Sequence, residues 1–288
     1  PPANMGPVMI AAISPQPILL WNASASPPQV NTQHPVYKHL TRIFPRLNEY
    51  KQDTSVNGII YESPYKYLGK LSPAQALVFW LQGFYDNPEQ PITNGGTPGT
   101  RKKLFDFDES RLYAASMPYT FSSSSPQTFT ARSSSPLSDE QKSYPVYFTG
   151  HPTCGLPYVY FDSRCYSTNP DYDINYAATN ADGTTSIASS YINSLPPVNG
   201  TWGQQHMAGD TFQIIAAGRD GLYGATATNQ AAFPAATPYS LTWQSALTGQ
   251  NKTYSYWSVK DAINGQGHTD NLTNFAERSL GDTVESLQ

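Results

Sequence analysis

The chain has 288 residues, of which 13% are charged, with 17 Lys and Arg against 21 Asp and Glu and a formal net charge of -4. That charged fraction is about half the usual quarter; 20 Tyr, 25 Pro and many Ser, Thr, Asn and Gln take its place, as in an extracellular, loop-rich, β-containing protein. The acidic balance excludes the basic face that nucleic acid requires, and no run of Lys or Arg marks an anionic membrane surface.

Pro1 to Pro35 holds eight prolines and no period, which predicts an extended segment docked through Ile18, Leu19, Leu20 and Trp21. Val36 to Leu47 has a helical apolar stripe of Val36, Leu40, Ile43, Phe44 and Leu47, with Pro45 placed to end or kink it. Asp53 to Leu71 reads as loop or short strand centred on Ile59, Ile60 and Tyr61. Ser72 is a good N-cap and Pro73 suits the first helical position. The predicted helix Pro73 to Gln82 buries Ala76, Leu77, Trp80 and Leu81, and Gly83 terminates it. Pro88 to Thr100 is turn-rich and exposed in this reading. Leu104, Phe105 and Phe107 then suggest a short strand whose other face carries Asp106 and Asp108. Alternation on a strand accounts for those acids better than a metal or glycosidase site does.

Met117 to Asp139 contains the tracts SSSSP and SSSP, a linker or exposed loop by composition. Tyr144 to Phe148 and Pro157 to Phe161 follow as two strands spaced for an antiparallel hairpin. Residues 166–210 read as a long insertion with DYD and NADG turns and a short helix around Ile187 to Asn193. In Thr211 to Ala217, Phe212, Ile214 and Ala216 alternate with Gln213, Ile215 and Ala217, the pattern of a short buried strand apolar on both faces. Residues 225–267 form a second insertion, in which Tyr239 to Trp243 and Thr253 to Val259 make a hairpin turning at TGQNK. The apolar runs Val8 to Trp21 and Ala76 to Leu81 are too short, or too broken by proline, to cross a membrane.

Cys154 and Cys165 flank the GLPYVYFD strand, eleven positions apart. A disulfide closing that loop would add about 3 kcal/mol and implies an oxidising compartment; the alternative is two free buried thiols. No further Cys or His pair stands at zinc-ligand spacing.

After the strand at Thr211 the chain breaks into Gly218, Gly221 and Gly224, spaced by three around Asp220, and it returns at His268 to Phe275 as HTDNLTNF with Asp270 and Asn271. Strand, G-x-D-G-x-x-G, a loop and D-N-x-x-N-aromatic near the C-terminus resemble the head of the major pseudopilin of type II secretion, within the type IV pilin-like group. The likeness is closer to large forms that carry insertions. The start PPANMGP resembles the proline turn after the long pilin helix, SPAQALVFWLQGF (Ser72 to Phe84) a helix of the large forms, and GLPYVYFDSR (Gly155 to Arg164) their G-x-P-Y-x-Y strand.

The resemblance implies a single α+β pilin-like head, with helices packed on an antiparallel β-sheet and long loop insertions. It implies an extracellular or cell-surface bacterial subunit that self-associates into a filament or pseudopilus and has no catalytic activity. Membrane contact would come only through a hydrophobic N-terminal helix that is not in this sequence. It also implies a Ca²⁺ held by Asp220 and Asp270, with Asn271 as a further oxygen donor; the alternative is a metal-free turn in which both acids bond backbone amides. An extracellular carbohydrate-binding or adhesive module, with tyrosines stacking on sugar, is the competing function, and a secreted hydrolase ranks below it. The chain lacks a G-x-S-x-G elbow and a P-loop, and its five His are scattered.

Overall fold

The computed structural model describes residues 20–23, 25–56, 59–68, 71–117, 126–131, 144–150, 155–162, 175–192, 211–218, 221–223, 239–244, 251–258 and 272–273. These residues form a few helices and several small, mostly antiparallel sheets. No helix among them is long and apolar enough to cross a membrane.

Two short strands, β1 (Trp21–Asn22) and β2 (Gln29–Val30), pair at the start, and Leu20 is buried beside Val30 in the main apolar cluster. Helix α1 (Pro35–Ile43) follows, capped by His34, whose Nδ1 accepts from Val36 N at 3.2 Å. It stops at Ile43, short of the expected Leu47, because proline at position 45 cannot continue it. Val36 and Leu40 lie inward and Phe44 and Leu47, beyond the helix, pack partly buried against the same cluster, whereas Ile43 is exposed.

Residues 53–71 form a hairpin, β3 (Thr54–Val56) with β4 (Ile59–Tyr61), and a single helical turn, α2 (Tyr65–Leu68). Helix α3 (Pro73–Leu81) begins at Ser72 as the sequence predicts. Ser72 Oγ accepts from Gln75 N, and Gln75 Oε1 accepts from Ser72 N, which completes a capping box. Every residue from Pro73 to Trp80 is buried, not one face as expected. A helix surrounded on all sides belongs to the interior, and α3 crosses both β9 and β10, defined below. Gly83, in the left-handed region at φ +72°, turns the chain out of the helix, and a Cβ there would sit 1.8 Å from Lys102 O.

The next hairpin pairs β5 (Phe84–Tyr85) with β6 (Arg101–Lys102). Its loop is less exposed than its composition suggests, since Ile92 is buried. The buried Glu49 carboxylate holds it, accepting from Ile92 N (2.6 Å), Thr93 N (3.0 Å) and Thr93 Oγ1 (2.6 Å). Residues 104–108 are not the expected strand. Both the Leu104 and Phe105 amides bond Leu81 O at the end of α3, Asp108 caps a 3₁₀ turn at 109–111, and the strand comes later, as β7 (Leu112–Ala115).

β7 is the centre of a three-stranded sheet, between β8 (Phe129–Ala131) and β9 (Pro145–Tyr147). β10 (Val159–Asp162) joins a different sheet. The expected hairpin of 144–148 with 157–161 therefore shrinks to one bridge, Phe148 to Pro157. β9 finds its hydrogen bonds on β7, and Arg111, just before β7, donates to the Phe148 and Thr149 carbonyls.

The expected helix near Ile187 is also a strand. β11 (Asn175–Thr179) and β12 (Thr185–Ser189) form a hairpin about the NADG turn, with Gly183 at φ +88°. β13 (Tyr191–Ile192) follows at once. Tyr176, Ala177 and Ala178 on β11 and Ser186, Ile187 and Ala188 on β12 are buried in succession, so both faces of the hairpin are covered there. β14 (Phe212–Ala216), β15 (Tyr239–Gln244), β16 (Asn251–Ser258) and β17 (Leu272–Thr273) complete the set. β15 and β16 are the antiparallel hairpin expected from sequence, with β13 added in parallel on β16.

Candidate functional site

The glycine-rich stretch and the returning C-terminal segment come together. β14 lies between β10 and β17, with Ile215 opposite Thr273 and Ala216 opposite Leu272. Leu272 is the residue after Asn271, and Ala216 stands two before Gly218. Pairing through β17 therefore joins the two motif halves at their described ends, across the 55 residues that separate Ala216 from Leu272.

Past β14 the chain makes a tight turn. Gly221 N donates to Gly218 O at 3.0 Å, and Gly221 has φ +72°, a conformation open to glycine at low cost. Tyr223 then anchors the loop. It is buried, its N donates to Ser186 Oγ on β12 at 2.9 Å, its hydroxyl donates to Pro157 O just before β10, and its ring meets Tyr176 edge-on at 6.1 Å. The Gly-rich loop thus leaves one strand and is fastened to two others within five residues of the turn's start.

β14 itself departs from the expected pattern. Its most deeply buried side chain is polar: Gln213 is 0% exposed, whereas Phe212 is 37% exposed and stacks on Tyr160. The Gln213 amide acts as a strand would. Oε1 accepts from Tyr191 N at 2.7 Å, and Nε2 donates to Tyr191 O at 2.9 Å, so one side chain bonds both backbone groups of Tyr191 on β13.

A second buried amide network ties this region to the helix. Gln127 Nε2 donates to Gln75 Oε1 on α3 and to Ser116 O, both at 3.0 Å, and Gln127 Oε1 accepts from Tyr176 Oη at 2.7 Å. Gln75 Nε2 donates to Tyr144 O at 2.9 Å. Hydrogen bonds within such a network strengthen one another and fix the relative positions of the elements that carry them.

Asp220, Asp270 and Asn271 lie outside the described residues, as do Cys154 and Cys165. What is described is the frame on either side of the three oxygen donors. Sequence reasoning missed Tyr223 and Gln213. The available signals were a large aromatic inside a glycine turn and a lone amide inside an otherwise apolar strand. Among the described residues, no three His, Cys, Asp or Glu side chains gather as a metal cluster.

Comparison with protein-family models, with curated proteins and with solved structures finds no match.

Proposed function

We propose that this chain is the globular head of a bacterial extracellular structural subunit, pilin- or pseudopilin-like, that assembles into a filament and pins its C-terminal loop with calcium. One observation carries this reading: β17 pairs on β14, which joins the start of the Gly218–Gly224 loop to the residue after Asn271. A loop that needs a distant carboxylate must have that segment brought back to it, and a sheet pairing does so with a defined register.

The donor set suits a hard cation. Asp220, Asp270, the Asn271 amide and the bare carbonyls of a glycine turn are all oxygens, which Ca²⁺ takes six to eight at a time. Tyr223 and the Gly218–Gly221 turn would hold the loop's backbone in place. Bound Ca²⁺ would neutralise the two carboxylates and cross-link the loop to the returning strand. The low charge fraction and many tyrosines suit a subunit that covers much of its surface on assembly.

The test is thermal unfolding with Ca²⁺ and with chelator. A cation that binds only the folded state raises the midpoint as its concentration rises. Asp220→Ala and Asp270→Ala should each abolish that shift and leave the chelated midpoint in place. An unchanged midpoint would remove the calcium site. For assembly, the chain is expressed behind a hydrophobic N-terminal helix of the pilin type and imaged for filaments; their absence under conditions that keep the head folded would overturn the structural-subunit reading.

A further inference from the structure

The loop of the β5–β6 hairpin, residues 86–100, is tied to the segment before β3 at two points. Asn48 N donates to Glu89 O at 2.6 Å, and the Glu49 carboxylate reaches Ile92 and Thr93. Glu49 is 2% exposed and Ile92 3%, and Ile92 lies in the main apolar cluster with Leu40, Tyr65 and Phe79. Opening the loop therefore returns one carboxyl group to water and takes Ile92 out of that cluster.

The number of hydrogen bonds at Glu49 is the same in its two protonation states. Oε1 accepts from the Ile92 and Thr93 amides whether the group is charged or neutral. Oε2 lies 2.6 Å from Thr93 Oγ1, and either partner can carry the proton there: the hydroxyl donates to a carboxylate, or a carboxylic acid donates to the hydroxyl. Charge strengthens these bonds, and loss of hydration opposes charge. The groups around Glu49 do little to offset that loss. Arg101 on β6 is the cation that acts on it, but its guanidinium is taken up by the Ile92 carbonyl at 3.3 Å and lies 5.2 Å from the Tyr85 ring centroid. Tyr65 on α2 and Tyr37 on α1, in edge contact at 5.4 Å, bring phenols and no cation, and Tyr65 Oη is buried and bonds no described residue. Arg46 and Lys51, on Glu49's own segment, are exposed. Burial is accordingly the largest influence and pushes the Glu49 carboxyl above its usual range, while the Thr93 and Ile92 bonds and Arg101 pull it back in part.

We propose that Glu49 is a proton-controlled latch, which holds the 86–100 loop closed in its protonated form and lets the loop open as it ionises. The closed loop binds the proton more tightly than the open one. Closure is therefore strongest below the ordinary carboxylate range and weakens as pH rises, with an opening equilibrium that grows by up to about tenfold per pH unit until Glu49 is ionised in both states. Local opening of this kind leaves the rest of the fold in place. Neither a filament nor calcium is needed for it.

Glu49→Gln tests the latch, because an amide stands in for the carboxylic acid: its Oε1 accepts from both backbone amides and its Nε2 donates to Thr93 Oγ1. The 288-residue chain and this variant are digested with endoproteinase Glu-C from pH 4.5 to 8, and the cut after Glu89 is read by mass spectrometry. Cutting follows the open population when opening and closing are fast. Taking the ratio of wild type to variant at each pH removes the protease's own pH dependence. The ratio should be near one at the acid end and rise by up to about tenfold per pH unit to a plateau. The same ratio for the cut after Glu109, outside the loop, should stay level. A level ratio at Glu89 overturns the proposal, and so does a ratio at Glu109 that rises in step with it, which would make the opening global. The wild type alone gives a second reading that does not depend on how the variant folds. The Glu49 carboxyl carbon should titrate above the usual glutamate range in NMR, and the Ile92 and Thr93 amide shifts should move with it. A midpoint within or below that range overturns the latch.

Discussion

The surroundings of α3 and of β14 hold a short element in the interior in two different ways. Around α3 the work is done by rings: Phe79 meets Trp80, Phe84 and Tyr144 at 5.5–5.9 Å, and Trp80 meets Phe84 and His39 at 5.5 Å. Around β14 it is done by directed hydrogen bonds, from Gln213 to the backbone of β13 and from Tyr223 to the Pro157 carbonyl just before β10. Apolar packing is additive and has many near-equivalent arrangements. Amide-to-backbone pairing has one, and it leaves buried orphans if either partner is lost. The first region is therefore expected to supply the larger share of stability and the second to select which strands meet.

The largest break falls in the aromatic region. Phe79→Ala removes a ring 3% exposed and should lower stability by about 3–5 kcal/mol, read as a lower urea midpoint. A loss under 1 kcal/mol would show that the α3 cluster is not the main core.

Gln213→Leu keeps the volume but removes both buried hydrogen bonds to the Tyr191 backbone, and should cost about 2–4 kcal/mol. Hydrogen exchange sharpens the comparison: Tyr191 N should lose protection in this variant, while amides of α3 keep theirs. Equal loss in both regions would mean that the two form one cooperative unit.

His34 caps α1 through an unprotonated Nδ1, and burial lowers its pKa from the usual 6.5 to about 4. A depressed histidine is neutral in the folded chain and takes up a proton more readily when unfolded. Its contribution is present above pH 6.5 and is lost as pH falls toward 4, with a slope of at most about 1.4 kcal/mol per pH unit. Glu49 acts in the other direction, because burial raises its pKa and ionising it costs the folded state as pH rises above the ordinary carboxylate range. His34→Asn keeps a capping acceptor and should flatten the acid limb of a denaturation series run from pH 7 to 4; an unchanged limb would reject this assignment.

The smallest effect is expected from Tyr176→Phe. It removes one hydrogen bond to Gln127 Oε1 and should cost about 1 kcal/mol, since the Gln127 amide keeps its two Nε2 bonds. A loss above 3 kcal/mol would show the network to be strongly cooperative.

Local chemistry determined the start and end of α3, as read from Ser72 and Gly83, and it also ended α1, four residues before the Leu47 that its apolar stripe suggested. His34 or Ser72 followed by proline, with Pro45 or Gly83 beyond, acts within a few residues and needs no partner. The β15–β16 hairpin and the NADG turn were legible for the same reason. Partner choice was not. Residues 144–148 and 157–161 have the composition of hairpin strands, yet they go to different sheets, because backbone hydrogen bonds carry no sequence label and β7 and β14 compete for them. The burial of all faces of α3 was hidden too, since a run such as PAQALVFWL fits one apolar face as well as full enclosure until its neighbours are placed. At the candidate site the sequence by itself determined the glycine turn and the returning segment's composition. Their meeting through β14 and β17, and the use of Gln213 and Tyr223 as fasteners, were decided by tertiary structure alone, because a side chain that bonds a distant backbone group leaves no periodic trace in its own segment.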